Sequence, residues 1–484
     1  MLGQLPFFVD FLKKGGLFDA FVADCPLRYA SPNAPKKRDV LGTVMLSMLA
    51  GHKRYAPIAA LRCDGVLPEL LGMKKVVSED AVRRGFKTID EAQGAAWLRG
   101  HLQHCVEPLL AEPWILDVDT TVKPLYGHQE GAVLGYNPKK PGRPSHCYHT
   151  YSMAMSRLVL DVDVCPGAEH ASKHAAPGLW ALLDRLPRDH WPTLLRGDSG
   201  FGNEGIMREA EARELPYLLK LRLTKNVARM IEKLDATHDW VYAGHGFQAK
   251  ESAVRLMGWS RTRRVIVLRR RLKGAVGLSY DGGCGAPQLS FAEIGETSEI
   301  YEYSVLVTSL QEETEAFGQL YRDRGDGENI FDETKNQWGW GGFTTHDLAR
   351  CRLMARLVAL FYNWWNIFVR LSEPGFHPRG DHQPATVSLR HRDAHAARAA
   401  DDDPCHQFPC TGQASRQGAR SGRGLLARPG RKCGAVDLTT KMARDPVARL
   451  SGLPERPPAA GSTPPRAHLM QPKREKSNLA QARR

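Results

Sequence analysis

Between residues 113 and 223, short apolar runs rich in β-branched side chains alternate with helical stretches in the order β-β-β-α-β-α-β, and no other feature narrows the fold as much. Strands are predicted over 114–121, 151–155, 158–164, 193–196 and 217–223, with helices over 176–186 and 202–215. Consecutive strands followed by strand-helix alternation give an α/β fold, a mixed sheet flanked by helices.

On its N-terminal side the pattern is helical. Apolar residues at 40, 41, 44, 45, 48 and 49 predict an amphipathic helix ended by Gly51, and a second helical stretch follows at 58–62. A third starts at Ser78, whose hydroxyl can cap free amides while Glu79 and Asp80 suit the positive helix end. With Lys36, Lys37, Arg38, Lys53, Arg54, Lys74, Lys75, Arg83, Arg84 and Lys87, this region suits docking of a helix into a DNA groove. A helical domain with a solvated basic face is the plainer alternative.

After Asn226 about a hundred residues of strand-like sequence, including 264–268 and 301–307, interrupt the α/β unit as a β-rich insertion. Helices resume from Thr314. The longest apolar stretch, 353–371, is broken by Arg356, Asn363, Asn366 and Arg370, which predicts a buried helix rather than a membrane span. The expected organisation is a helical DNA-binding region over 1–108, the first part of the catalytic core over 109–226, the insertion over 227–312, and the end of the core over 313–375. From 376 to 484 the chain is rich in Arg, Pro, Ala and His; beyond His377 it has no Ile, Tyr or Trp, and Phe408 is the sole aromatic. That composition predicts disorder.

A formal charge of +14, spread over many short clusters, suits a polyanionic partner. The N-terminus lacks a signal-peptide pattern, so a cytoplasmic location is expected. The ten cysteines have no metal or disulfide spacing, and Cys405, His406 and Cys410 lack a fourth ligand.

Asp117 and Asp119 lie two apart on a predicted strand and so share one face. Asp198 follows another strand in Arg-Gly-Asp-Ser-Gly-Phe, where Gly197 and Gly200 are expected to permit a tight turn. Acids at strand ends are commonly solvated or capping residues. Tyr321, Arg324, Glu328 and Lys335 add a further pattern, since spacings of 3, 4 and 7 would place all four on one face of an α-helix. Phenol, guanidinium, carboxylate and ammonium on one face suit a phosphodiester, although a surface salt-bridge ladder would use the same spacing. Asp161 and Asp163 form another strand pair that competes with Asp117 and Asp119 for a metal. Lys139, Lys140 and Arg143 form a Gly- and Pro-rich basic turn suited to DNA phosphates or to solvent.

The Tyr-x2-Arg-x3-Glu-x6-Lys spacing resembles the signature of the DDE-type bacterial insertion-sequence transposases. The resemblance extends over about residues 1–375 and includes Asp119-Thr-Thr, Tyr126-Gly-His-Gln-Glu-Gly, Gly135-Tyr-Asn-Pro-Lys-Lys, the segment around Asp198 and Lys335-Asn-Gln-Trp-Gly-Trp-Gly-Gly. It implies a ribonuclease-H-like core with a β-rich insertion and a catalytic, metal-binding triad of Asp119, Asp198 and Glu328. Tyr321, Arg324 and Lys335 would bind DNA phosphate, and Asp117 would be a neighbour of the triad. It further implies two Mg²⁺ ions, with Mn²⁺ a substitute, cleavage and strand transfer through a hairpin at the element end, and a homodimer on double-stranded DNA carrying terminal inverted repeats and target DNA. Such enzymes usually stack a flipped base on a Trp of the insertion, for which Trp240 and Trp259 are equally core candidates.

Two departures from the family pattern stand out. Gly325 and Gly327 flank Asp326 just before Glu328 and predict a looser catalytic helix. Where similar proteins read Ala-Ile-Thr-Ser, this chain reads Gly380-Asp-His-Gln, which a one-base shift in GC-rich codons would explain; a frameshift is therefore expected near Phe376. The rival functions are an end-binding remnant that inhibits intact transposase and a general metal-dependent nuclease.

Overall fold

The computed structural model describes residues 4–372 apart from 64–65, 138–139, 170, 273–275, 278–290 and 293–300. The tail, with its possible frameshift and its Cys-His-Cys group, lies outside the described residues.

The chain opens with helices α1 (Leu5–Lys14), α2 (Leu17–Asp24), α3 (Lys37–Leu49), α4 (Val66–Leu70), α5 (Glu79–Lys87) and α6 (Glu91–Leu110), with a 3-10 turn at Ala56–Cys63. Ser78 caps α5 as expected, its hydroxyl accepting from the Ala81 amide at 3.2 Å. The expected amphipathic stripe on α3 is corrected by the structure: every residue from Asp39 to Leu49 is buried. Its polar positions are satisfied internally, Asp39 accepting from Lys74 N and Thr43 from Val77 N. A helix enclosed on all sides needs no polar face.

Strands β1 (Ile115–Pro124), β2 (Ser145–Met153) and β3 (Leu158–Pro166) form an antiparallel meander, followed by helices α7 (Ala171–His174) and α8 (Ala176–Leu183). Strand β4 (Leu194–Gly197) returns parallel to β1; helix α9 (Glu204–Ala212) then leads to β5 (Tyr217–Lys220), parallel to β4. The resulting order β3-β2-β1-β4-β5 is the ribonuclease-H-like half of a nine-stranded sheet. The strand order therefore bears out the α/β mixed-sheet expectation.

Helix α10 (Lys225–Asp235) and strands β6 (Val241–Tyr242), β7 (Phe247–Val254), β8 (Arg263–Arg271), β9 (Val276–Gly277), β10 (Phe291–Ala292) and β11 (Tyr301–Thr308) follow. These residues do not simply interrupt the α/β unit. Strand β11 pairs antiparallel with both β5 and β8, so β6, β7, β8 and β11 continue the core sheet, while β9 and β10 form a separate pair. Sheet continuation satisfies the backbone groups of β5 that would otherwise form an open edge.

An ionic cluster fastens this extension to the core. Glu211 of α9 accepts from Arg263 of β8 at 2.7 and 3.1 Å, from Arg261 at 2.8 Å and from the Tyr217 hydroxyl at 2.7 Å. Burial works to raise its pKa, but the hydrogen bonds from Arg263, Tyr217 and Arg261 overcome it and hold the carboxyl down, to about 2. A depressed carboxylate contributes stability above its ordinary value of 4.5, and that stability is lost as pH falls through about 2. Glu211→Gln is expected to flatten the stability profile in that acid window and to remove up to roughly 3 kcal/mol at neutral pH. Urea melts between pH 2 and 7 measure both; parallel profiles for the two proteins would refute the assignment.

Helices α11 (Ala316–Arg322) and α12 (Gly325–Glu333), a π-turn at Thr334–Trp338 and helix α13 (Leu348–Ser372) complete the described chain. Helix α13 is buried nearly all round, and each polar interruption within it meets a fixed partner. Asn363 accepts from Val159 N at 2.9 Å and donates to Val159 O at 2.7 Å, pairing a residue of the outermost strand β3. Asn366 donates to the carbonyls of Ser156 and Arg157, and Arg356 binds Asp161 and Asp163. Among the described residues no helix is long and apolar enough to cross a membrane.

Candidate active site

The parallel pairing of β1 and β4 aligns Val118 with Gly197. Continuing that register by one residue sets Asp119 beside Asp198 where β4 ends, in adjacent strands spaced about 4.8 Å apart. Asp198 starts the turn into α9, its Oδ1 accepting from Gly200 N at 2.9 Å. The expected tight turn forms, Phe201 N donating to Asp198 O at 3.0 Å, and it needs no positive φ at Gly197 or Gly200. Gly197 is instead required by space: a Cβ there would lie 2.8 Å from the Phe201 Cβ and 3.0 Å from side-chain carbons of Leu219 and Val118.

Asp117 and Asp119 share a face but have different surroundings. Asp117 is buried and engaged on both oxygens by Arg196, at 2.7 and 2.8 Å. Arg196, itself 1% exposed, also donates to Leu320 O, so one guanidinium ties β1, β4 and α11 together. Asp119 is paired with Arg324 at 2.7 Å and faces a small cleft also lined by Thr150, Ser152 and Gly327. Burial raises the Asp119 carboxyl to about 6; Arg324 and the Thr120 amide oppose this, while the charges of Asp198 and Glu328 add to it. All three expected acids therefore contribute to one electrostatic environment, with Glu328 exposed on α12.

The four-residue helical face is not formed as expected. Tyr321 lies in the last turn of α11, Arg324 stands at the break before α12, Glu328 lies in α12 and Lys335 in the π-turn. Two glycines so close to the break weaken helix propagation, yet Asp323 and Arg324 keep right-handed helical dihedrals, so the i,i+3 proximity of Tyr321 and Arg324 survives. The break leaves Arg324 close to its sequence neighbour, its guanidinium 5.8 Å from the Tyr321 ring centre, and buried against Asp119. Burial pushes the Tyr321 hydroxyl up to about 12, so it remains a neutral donor. Lys335 donates to Val122 O of β1 at 2.9 Å.

Asp161 and Asp163 do not join this site. Asp161 is held by Arg99, Arg185 and Arg356, and Asp163 by Arg99 and Arg356, in a cluster that joins α6, β3 and α13. Trp240 and Trp259 both pack against the core, Trp240 beneath Arg269 at 4.0 Å and Trp259 beneath Arg263 at 5.2 Å. Lys140 and Arg143 lie over the exposed Tyr126 ring at 5.0 and 4.8 Å, while Lys139 lies outside the described residues. In the Lys335-Asn-Gln-Trp-Gly-Trp-Gly-Gly segment, Trp338 and Trp340 are core residues, and Trp340 donates to Ala355 O. A Cβ at Gly342 would fall 1.6 Å from Lys53 O, so this glycine lets the N-terminal helices reach the core.

A divalent cation would find ligands of the right kind here. Carboxylate oxygens are suitable hard donors. Thr150 Oγ1 and Arg324 Nε are buried without hydrogen-bond partners among the described residues, in the cleft that contains Asp119. The arrangement is nonetheless not a closed ligand shell: among the described residues no three His, Cys, Asp or Glu side chains are gathered so as to hold a metal. The Arg324 guanidinium supplies the positive charge beside Asp119. The donor set fits a hard cation in kind, with Arg324 as its competitor.

A β3-β2-β1-β4-β5 sheet with one acid within β1 and a second just past the end of the parallel β4 has the ribonuclease-H-like arrangement. The family model described as Transposase DDE domain group 1 matches residues 28–390, and the chain belongs to this family. A comparison with curated proteins finds no match. Among solved structures, the chain is similar to one described as a cryo-EM structure of the piggyBac transposase synaptic complex with hairpin DNA, at 11% identity and a TM-score of 0.42 over 82% of each chain.

Proposed function

We propose that the chain cleaves and joins DNA at the ends of an insertion sequence, with Asp119, Asp198 and Glu328 as metal-binding catalytic residues. The observation that carries this reading is the register that sets Asp119 beside Asp198, with Glu328 on α12, the helix that packs on β1. Two Mg²⁺ ions, or Mn²⁺ in their place, would be held by these carboxylates and would polarise the attacking and leaving oxygens of an in-line displacement.

The chain's own groups perform the remaining tasks. Arg324 moves from Asp119 to the scissile phosphate, where its planar donors match two phosphate oxygens. Tyr321, kept neutral, donates to a phosphate oxygen, and Lys335 at the far end of the broken helix neutralises the strand backbone. The basic N-terminal helices hold the terminal inverted repeats. The freed 3′-hydroxyl then attacks the opposite strand to close a hairpin, which is opened before joining to target DNA by a homodimer.

Purified protein is incubated with Mg²⁺ and labelled duplex carrying the element's terminal sequence, beside Asp198→Ala. Nicking at the element boundary followed by a hairpin product, both absent from the variant, is the expected result. Undirected nicking would identify a general nuclease, and end binding without cleavage by the wild-type chain would identify an inhibitory remnant.

A further inference from the structure

A second cleft, of about 370 Å³, lies apart from the acids and shares none of the residues lining the Asp119 cleft. Three distant segments build it: Arg83 from α5, His128 and Gln129 from the Tyr126-Gly-His-Gln-Glu-Gly loop, and His346 and Arg350 from the chain entering α13. The proposed reaction gives that loop motif no task.

Its polar groups are suited to an anion. Arg83 is exposed and lies over the Tyr55 ring at 4.9 Å, a contact that orients the guanidinium without neutralising it. Arg350 uses Nε to bind Asp347 at 3.0 Å, which leaves its other donor face for a ligand. The donors for an anion are these two guanidiniums; Gln129 Oε1, buried without a hydrogen-bond partner among the described residues, is an acceptor and is not one of them. Asp347 is the neighbouring acid; it is occupied by Arg350, accepting from that residue's backbone amide as well, and does not line the cleft.

The walls are held by independent contacts. Glu130 N donates to His346 O at 2.8 Å, and Glu130 Oε2 accepts from Leu348 N at 3.0 Å, clamping the loop to the start of α13. Phe343 N donates to Lys53 O at 2.8 Å, bringing the N-terminal helices to the same place. An anion between Arg83 and Arg350 would therefore bridge the N-terminal helices and the core.

The geometry points to this cleft as a phosphate site that holds a backbone phosphodiester of bound DNA, separate from the catalytic acids. The cleft offers room for a phosphate with its flanking sugars, and two guanidiniums from different parts of the chain can engage the strand as it passes from the end-binding helices to the core. This inference rests on the reading of the chain as a DNA-binding transposase.

The test is fluorescence anisotropy of full-length protein with a short labelled duplex across a sodium chloride series in EDTA, which prevents cleavage. Arg83→Gln and Arg350→Gln are each expected to weaken binding by about ten-fold. Each should also make the salt slope shallower by about one, and the double variant by about two. Arg83→Glu provides a second variant at an exposed position and is compared with Arg84→Glu on the next residue, which pairs with Asp80 and lies outside the cleft. The Arg83 reversal should weaken binding more than the Arg84 reversal. Equal effects of the two reversals, or wild-type affinity and slope in a folded double variant, would overturn the inference while leaving DNA binding intact. Failure of the wild-type chain to bind duplex would instead overturn the functional reading. If millimolar inorganic phosphate raises the melting temperature of wild type but not of the double variant, and duplex binding is the same for both, the cleft takes a free anion and the DNA assignment is wrong.

Discussion

Asp119→Ala is expected to abolish strand cleavage, by about a thousand-fold or more, while leaving a folded protein that still binds DNA. Asp117→Ala, two residues away on the same face, is expected to produce the reverse pattern. Asp119 is 17% exposed and faces a cleft, and its buried partner Arg324 also lies within the charge of Asp198 and beside the Tyr321 ring. Removing Asp119 therefore relieves carboxylate crowding with Asp198 and Glu328, and Arg324 keeps the charge of Asp198 nearby as a counterion. Asp117 is buried, and its removal would leave Arg196 without the carboxylate it binds through two donors. Breaking such a pair costs about 3–5 kcal/mol. Cleavage assays normalised to folded protein by circular dichroism distinguish the two residues. Loss of turnover per folded molecule in Asp117→Ala, with full turnover in Asp119→Ala, would reverse the assignment of the triad.

Arg356→Met should cause the largest loss of stability in the helical half of the core, again about 3–5 kcal/mol. In a protein of this size that corresponds to a fall of roughly 5 °C in melting temperature. Arg356 is buried and is the sole member of its cluster from α13; its loss leaves Asp161 and Asp163 to Arg99, with Arg185 on Asp161 alone. Burial raises the Asp163 carboxyl and the Asp161 charge adds to this, while Arg356 and Arg99 counteract it. A carboxyl raised in the folded state favours folding while protonated and loses that contribution as pH rises through its folded pKa. The deficit of Arg356→Met should therefore widen as pH rises, and Asp163→Asn in the same chain should recover part of it. A deficit independent of pH, with no recovery in the double variant, would show that Arg356 acts through packing alone.

These contrasts mark where sequence reading reached its limit. The strand-helix order, the Ser78 cap, the buried last helix and the candidate acids were all legible, because period, capping chemistry and composition are local properties. The distinction between Asp117 and Asp119 was not, because strand alternation gives them the same face and the same cleft, and only the opposing arginines differ: Arg196 for one, Arg324 for the other. The single helix expected to carry Tyr321, Arg324, Glu328 and Lys335 failed for a partly visible reason. Gly325 and Gly327 signalled weakness, but only the tertiary structure shows that the break falls at Arg324, the residue that pairs with Asp119.

The sequence by itself determined the α/β class, the acidic and basic inventory and the spacing that marks the family, since each follows from residue type and order along the chain. Tertiary structure alone decided which acids are neutralised by buried arginines, that the insertion strands extend the core sheet through β11, and that Arg83, His128 and Arg350 line one cleft. Those outcomes depend on contacts between residues tens to hundreds of positions apart, where burial and charge pairing are set by what the fold places opposite each side chain.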